Sequence, residues 1–201
     1  MPPLPPVTKA LMLICTAVFL MQALLPILPV DQLFALWPLG SGRFWPWQLL
    51  SYSVLHGDVM HLFFNMLGLW MFGSELERLW GNKRYLQLLA ASVVAAAVVQ
   101  LLFNMVVGSG APTVGASGGL FGLLLSFGML FPNRVIMPLF PPIPMKARTF
   151  VMVFGGLELL FGLQGASGVA HFAHLGGMLG AWLMLSWWRG KLPFGGPPRR
   201  R

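Results

Sequence analysis

The residues best suited to chemistry lie near the starts of apolar stretches. Ser117 stands within a glycine-rich segment, Gly115-Ala116-Ser117-Gly118-Gly119. The four histidines fall near the starts of two further apolar stretches: His56, His61, His171 and His174. A serine hydroxyl becomes a good nucleophile when a base takes its proton, and a positioned imidazole is a common base. The sequence therefore offers Ser117 as a candidate nucleophile and His174 as a candidate base.

Hydrolysis by a serine also needs hydrogen-bond donors for the oxyanion that forms when the hydroxyl attacks a carbonyl. Ser117 opens an apolar stretch, and the first backbone N–H groups of a helix have no partner inside it. His61 and Asn65 are four residues apart, so their side chains share a helical face and can add donors. No Asp or Glu lies at this level of the three stretches. The sequence therefore predicts a Ser-His dyad without a third, acidic member.

The composition indicates that these groups sit in a membrane protein. The chain is 57% hydrophobic and 9% charged, whereas about a quarter of a soluble domain is charged. The formal charge of +8 comes from basic residues between the apolar stretches and in the tail, where they set topology and contact anionic lipid. No basic patch interleaved with aromatic residues occurs, so nucleic acid is not an expected partner. The single cysteine, Cys15, excludes an internal disulfide.

Six apolar stretches are long enough to cross a bilayer, which takes roughly 17 to 25 residues. They cover residues 10–28, 56–73, 84–107, 115–131, 148–163 and 169–188. Backbone groups in lipid must be satisfied within a segment, so each stretch is predicted to be a helix. The expected fold class is all-α, a polytopic bundle of six transmembrane helices in a single domain covering residues 1–201, with a basic tail over 189–201.

Basic residues predict the orientation of this bundle. Of the 13 Lys and Arg, only Arg43 falls on the side opposite the termini, so both termini are predicted to be cytoplasmic. The second, fourth and sixth spans then run from outside to inside. At 1.5 Å per residue, His61 and His174 lie about 8 Å below their helix starts and Ser117 about 3 Å below its own. The three residues are therefore expected at one depth near the outer face.

Glycine pairs could bring these helices into contact. The pairs are spaced four residues apart: Gly115 with Gly119, Gly118 with Gly122, and Gly176 with Gly180. Small residues at this spacing allow close approach of helix backbones in membranes. Such pairs are common in membrane helices, so they indicate a functional site only in combination with Ser117 and His174.

Two other classes of protein fit part of the pattern. Four histidines at one level could bind zinc in a metal-dependent protease or a transporter. However, His56 and His61 are five residues apart and would not share a helical face, no HExxH motif occurs, and no carboxylate completes the set. No metal and no cofactor are therefore expected. The other class is a catalytically inactive protein that binds membrane helices, which the presence of both Ser117 and His174 disfavours.

In three of the predicted spans, the motifs resemble those of the rhomboid intramembrane serine proteases. The motifs are His56-xxxx-His61-xxx-Asn65, Gly115-x-Ser117-Gly118 and Ala173-His174-xx-Gly177, and the segments Gly73-Ser74-Glu75-Leu76-Glu77 and Trp80-Gly81 are also similar. The resemblance covers nearly the whole chain, from the first span to Trp188. Three motifs in the correct spans and order are far more specific than any one of them.

The resemblance implies a role for each candidate residue. Ser117 would be the nucleophile and His174 the general base, with His61, Asn65 and the Ser117 N–H forming the oxyanion hole. Around them, the implied supporting residues are Gly115, Gly118, Phe121, His56, His171 and Gly177. His171 would be a neighbour of the base, and His56 would be structural or line the cavity. The implied substrates are transmembrane proteins cleaved near the outer face of the membrane, without a cofactor or metal.

Three positions depart from the family pattern or lie outside it. Gln48 follows Trp47 where many family members carry arginine, so the structural role of that arginine is lost or moved. Phe121 stands where bacterial members carry a tyrosine stacked on the catalytic histidine; its ring can still stack. Glu158 is the one acid deep in a span. It is expected to bond a neighbouring helix or to be neutral, and to lie nearer mid-membrane without a direct catalytic role.

Overall fold

Helices account for most of the computed structural model, which describes residues 3–139, 142–164 and 169–191. The helices are α1 (Pro6–Leu24), α2 (Val30–Phe34), α3 (Gln48–Ser51), α4 (Val59–Gly68), α5 (Ser74–Val107), α6 (Ser117–Leu130), α7 (Ala147–Gln164) and α8 (His171–Trp188). Short 3-10 turns cover Leu39–Ser41 and Tyr52–Val54, and a π-helical turn over Leu69–Gly73 joins α4 to α5. Two short strands, β1 (Val135–Ile136) and β2 (Met145–Lys146), pair antiparallel before α7.

The exterior of this bundle is apolar, as expected for helices surrounded by lipid. By length and composition, three helical stretches in the described residues could cross a membrane: Pro6–Leu24, Val59–Val107 and Ala147–Gln164. Helix α6 is a shorter apolar helix of 14 residues. Large apolar side chains remain exposed on several helices, including Leu24 (72%), Val106 (85%) and Leu163 (72%). Soluble monomers rarely expose apolar side chains on this scale.

The stretch Val59–Val107 is not one straight helix, because the chain reverses at Gly81. Gly81 has φ 73° and ψ 166°, outside the helical region. A Cβ placed on Gly73 would lie 2.5 Å from the Tyr85 hydroxyl, whereas a continuous helix would separate these residues by about 18 Å. Two helical segments, residues 59–80 and 82–107, therefore pack against each other. The segment between the predicted second and third spans, residues 73–84, is mostly helical. The first of the two helical segments, which corresponds to the predicted second span, therefore ends at residue 80 and not at the predicted residue 73.

Helix starts also differ from the predicted spans. Helix α4 begins at Val59 because the Asp58 side chain caps it by accepting a hydrogen bond from the His61 N–H at 2.8 Å. His56 therefore precedes the helix instead of opening it. Helix α6 begins at Ser117, two residues after the predicted start at residue 115. Helix α1 covers Pro6–Leu24 rather than residues 10–28, since Pro6 is tolerated in a first turn.

Close packing of α8 on two other helices forms the centre of the bundle. A Cβ on Gly180 would lie 2.5 Å from the Ala91 carbonyl oxygen of α5, and a Cβ on Gly177 would lie 1.8 Å from the Gly118 carbonyl oxygen of α6. Only glycine permits such an approach. The predicted close approach through Gly176 and Gly180 is confirmed. Gly115 lies outside α6, so the pair with Gly119 does not form a helix contact.

Gln48 organises the loop between α2 and α4 in place of the arginine expected there. Its side chain is fully buried. The side-chain oxygen accepts hydrogen bonds from the Trp37 and Trp45 N–H groups, and the side-chain amide donates to the carbonyls of Leu33 and Arg43. A neutral amide thus ties four backbone positions together, so Gln48 has a structural role of its own in this loop.

Glu77 attaches α1 to the rest of the bundle. Its buried carboxylate accepts hydrogen bonds from the Val7 N–H, the Thr8 N–H and the Thr8 hydroxyl at 2.7 to 2.8 Å. These backbone donors belong to the first turn of α1, where no carbonyl of the helix can accept them. The carboxylate therefore both caps α1 and fixes its position beside α5.

A Glu77→Gln substitution should lower the free energy of unfolding by about 2 to 4 kcal/mol, because an amide cannot accept all three bonds and places its own donors against N–H groups. Denaturant or thermal unfolding in detergent measures this. Glu75→Gln is the matched control: Glu75 pairs with Arg134 at the surface, and loss of such a pair costs about 1 kcal/mol or less. Equal stability of the two variants would contradict the anchoring role of Glu77.

Candidate active site

Ser117 is held in place by the loop that precedes α6. Thr113 pairs with Leu36 through two backbone hydrogen bonds, and the Gly115 N–H donates to the Tyr52 carbonyl at 3.0 Å. The buried Tyr52 hydroxyl donates in turn to the Val93 carbonyl at 2.8 Å, and burial raises the pKa of Tyr52. Since α6 begins at Ser117, the Ser117 hydroxyl lies at the N-terminus of this helix. The first backbone N–H groups of α6, which have no acceptor inside the helix, lie at the same end.

His174, on the first turns of α8, meets this serine directly. Its Nε2 lies 2.8 Å from the Ser117 Oγ. The Phe121 ring stacks on the imidazole with 4.2 Å between centroids and 7° between planes, which confirms that phenylalanine can stack here. His174 is 7% exposed. The structure therefore brings together the candidate nucleophile and base from two helices that are 57 residues apart in the chain.

Glu158 reaches both histidines of α8, contrary to expectation. Its Oε2 lies 2.6 Å from the His171 Nδ1 in a hydrogen bond, and 2.8 Å from the His174 Nδ1, at ion-pair distance but away from the ideal hydrogen-bond direction. The prediction of a dyad with no acid beside it is wrong, because this carboxylate lies beside the His174 ring. The prediction that it bonds a neighbouring helix is confirmed.

His61 and Asn65 lie on the other side of Ser117. The Gly57 N–H donates to the His61 Nδ1 at 3.4 Å, so a neutral His61 carries its proton on Nε2. A Cβ on Gly115 would lie 2.6 Å from this Nε2 and 3.6 Å from the Ser117 Oγ. Gly115, with φ 124°, therefore leaves the space through which the His61 N–H approaches the serine. The Asn65 amide donates to the His61 carbonyl at 3.0 Å.

His56 is a buried neighbour of His61. The two rings are 5.1 Å apart in an edge-to-face arrangement, and the His56 N–H donates to the Gln22 side chain at 3.2 Å. The expectation that His56 and His61 face apart was based on a shared helix, and it is wrong because His56 precedes α4. At 1% exposure, His56 is buried beside His61.

A cavity of about 780 Å³ opens beside these groups and is lined by His61, Asn65, Ser117, Phe121 and His174. Two lining residues were missed in the sequence, Gln100 and Asn104 of α5. The Gln100 side chain accepts from the Ala173 N–H at 3.1 Å and donates to Asn104 at 2.9 Å, so it fixes the first turn of α8. Two amides four residues apart within an apolar span were the signal that could have identified them.

The same cluster contains potential metal ligands. In the described residues, one ligand atom each of Glu158, His171 and His174 lies within 4.8 Å of the others. The prediction that no carboxylate completes the histidine set is therefore wrong, because Glu158 lies beside two of the histidines. The 2.6 Å distance between the His171 Nδ1 and the Glu158 Oε2 is that of an N–H group facing a carboxylate, so a hydrogen bond accounts for this contact.

Comparison with known proteins places the chain in a family. The rhomboid domain model matches residues 43–189. The chain is 28% identical to Rhomboid protease GlpG of Yersinia pestis (strain Pestoides F) over 186 residues, which cover 90% of this chain and 62% of that protein. It is 30% identical to Rhomboid protease GluP of Bacillus subtilis (strain 168) over 136 residues, covering 67% of this chain and 24% of that protein.

The chain belongs to the rhomboid family. With its apolar helical bundle it is an integral membrane protein. It spans about 62% of the length of the Yersinia relatives that it matches. The matched region includes every candidate site residue, from His56 to Gly177.

Proposed function

We propose that the protein is an intramembrane serine endopeptidase that uses Ser117 as nucleophile and His174 as base. The observation that carries the proposal is the 2.8 Å contact between the Ser117 Oγ and the His174 Nε2, at the wall of a cavity. Relatives named as rhomboid proteases support the protease function. A catalytically inactive helix-binding protein would have no need for this pairing, which is costly to build in an apolar interior.

The proposed reaction proceeds in two stages. The Ser117 hydroxyl transfers its proton to the His174 Nε2 while Oγ bonds to the scissile carbonyl carbon, whose oxygen takes the π electron pair. The imidazolium then protonates the leaving amine as the C–N bond breaks, leaving an acyl-enzyme. A water molecule, deprotonated by His174, attacks the ester, and the proton returns to Ser117 as the acid is released. The Ser117 N–H, His61 and Asn65 stabilise the oxyanion in both stages.

The proposed substrates are transmembrane proteins, cut near the outer end of a span. A peptide bond within a helix is hydrogen-bonded and shielded, so the cleaved segment must unwind locally before it can enter. We further propose six crossings with both termini in the cytoplasm of a bacterium, counting α1, the segments 59–80 and 82–107, α6, α7 and α8. The reversal at Gly81 and the segregation of the basic residues support this count and orientation.

Covalent labelling tests the proposal. The purified protein, reconstituted in liposomes, is incubated with a generic transmembrane substrate whose juxtamembrane segment contains small, helix-breaking residues. We expect cleavage that a fluorophosphonate abolishes, with the phosphonate attached to Ser117 in the peptide map. Cleavage that survives complete labelling, or labelling of another residue, would refute the assignment of Ser117. Absence of cleavage with every such substrate would favour the inactive helix-binding protein.

His61 is predicted to act on the oxyanion and not on substrate binding. A His61→Ala variant should lose about 100-fold in kcat with little change in KM, because a preorganised donor acts on charge that develops in the transition state. Phe63→Ala, on the same helix with a half-exposed ring, serves as the control and should retain kcat. A His61→Ala variant that loses its activity through KM alone would assign His61 to substrate binding instead.

A further inference from the structure

The carboxylate of Glu158 is shared between the two histidines at the start of α8. One oxygen, Oε2, lies 2.6 Å from the His171 Nδ1 and 2.8 Å from the His174 Nδ1. The side chains are largely enclosed, with 13% exposure for Glu158 and 9% for each histidine. Ionic contacts are stronger in such surroundings than in water. A carboxylate so close to the candidate base must affect its state.

The geometry fixes the tautomer of His174. To accept the Ser117 proton, the imidazole must have an unprotonated Nε2, which lies 2.8 Å from the Ser117 Oγ. A neutral imidazole with a free Nε2 carries its proton on Nδ1. That proton then lies on the nitrogen that is 2.8 Å from the Glu158 Oε2, at ion-pair distance although away from the ideal hydrogen-bond direction, so the carboxylate attracts it. The opposite tautomer would place the Nδ1 lone pair against a carboxylate and the Nε2 proton against the serine, and the base could not act.

The remaining contacts hold this arrangement in place. Phe121 packs on the face of the His174 ring, while Glu158 contacts its edge. His171 provides the second contact to Oε2, and the Phe161 ring lies 5.9 Å from the His171 ring. Because one carboxylate oxygen meets two imidazoles from successive turns of α8, its position is determined by two distances rather than one.

We propose that Glu158 is a positioning residue that holds His174 in the tautomer and orientation needed for proton transfer and stabilises the imidazolium formed during the reaction. His171 acts through Glu158 by fixing its carboxylate. Glu158 itself neither contacts the substrate nor changes its protonation state, so the proton passes only between Ser117, the His174 Nε2 and the leaving amine. The inference rests on the proposed protease function, to which it adds an acidic third member.

Paired substitutions at Glu158 test this role in the full-length protein. Glu158→Gln should lower kcat about 100-fold, with KM changed by less than about threefold, since the charge facing the imidazolium and the fixed tautomer are both lost. Glu158→Asp retains the charge and should recover at least about tenfold over Glu158→Gln. Rates are counted per active site by exhaustive fluorophosphonate labelling, so unfolded protein does not contribute. Glu75→Gln, which removes a surface carboxylate, should leave kcat unchanged.

A double-substitution cycle separates positioning from general stability. His171→Asn should lower kcat about fivefold in the unsubstituted protein but have no further effect in the Glu158→Gln background, because the two residues act in series. A kcat for Glu158→Gln within about threefold of the unsubstituted protein would overturn the proposal, as would equal kcat losses in the Gln and Asp variants. Loss of activity on chelation that zinc restores would also overturn it, since the cluster would then be a metal site. If Ser117→Ala remained active, the protease assignment itself would fail, which is a separate outcome.

Discussion

A Ser117→Ala variant should lose at least about 1,000-fold in kcat/KM toward a transmembrane substrate, because the substitution removes the proposed nucleophile. The remaining hydrogen-bond donors and the cavity would still bind substrate, so KM should change little. The measurement is initial rate of cleavage in liposomes at several mole fractions of substrate. The folded bundle should be unaffected, since alanine removes one oxygen and leaves the glycine contacts of α6 intact.

Ser126 provides a matched control on the same helix. Its buried hydroxyl donates to the Gly122 carbonyl at 2.8 Å and lies about two and a half helical turns from Ser117. Ser126→Ala should retain cleavage within about threefold, because the loss of one such bond affects stability by about 1 kcal/mol. If Ser126→Ala and Ser117→Ala lost activity alike, the loss would reflect helix damage instead of a missing nucleophile.

The pairing of Ser117 with His174 could be anticipated from the sequence for a physical reason. Polar groups inside apolar spans are expensive, so the few that occur mark sites where they meet one another. Orientation then assigned the two residues a common depth, and the glycine pairs that include Gly118 and Gly176 indicated where backbones approach. The structure contains both the approach and the 2.8 Å contact.

Glu158 could not be placed in the same way. Its depth was judged by counting along its own helix, but helix tilt and rotation are set by neighbouring helices and not by length. The packing of α7 against α8 brings its carboxylate to both histidines. His56 was misjudged for a related reason. The cap formed by Asp58 shifts the start of α4 past it, and helical-face arithmetic does not apply to a residue outside the helix.

Phe121 and Gln48 both depart from the family pattern, but only the contacts of Phe121 could be predicted from the sequence. Phe121 keeps the aromatic face, so its stacking on His174 follows from ring shape alone and was predictable. The four backbone bonds of Gln48 depend on the path of the surrounding loop. No pattern of residue types describes that path, because loops lack a repeating geometry.

Gly177→Ala should abolish cleavage, to below about 1% of the original kcat, and lower the free energy of unfolding by about 3 kcal/mol. The added methyl group would lie 1.8 Å from the Gly118 carbonyl oxygen. Both partners are backbone, so no side chain can rotate away and α6 must separate from α8. Gly118 is adjacent to Ser117, so this separation moves the serine hydroxyl from the His174 imidazole. A displacement of about 1 Å can cost 100-fold in rate.

Gly156→Ala tests whether any added methyl group in a helix has this effect. Gly156 lies within α7, and a Cβ there would meet no atom within 4 Å. This variant should keep its activity and become slightly more stable, by about 0.5 to 1 kcal/mol, since alanine favours the helix. Kinetics and unfolding in detergent are measured on both variants. Retention of cleavage by Gly177→Ala would mean that α6 and α8 can separate without parting serine and imidazole, and the close glycine contact would then serve packing alone.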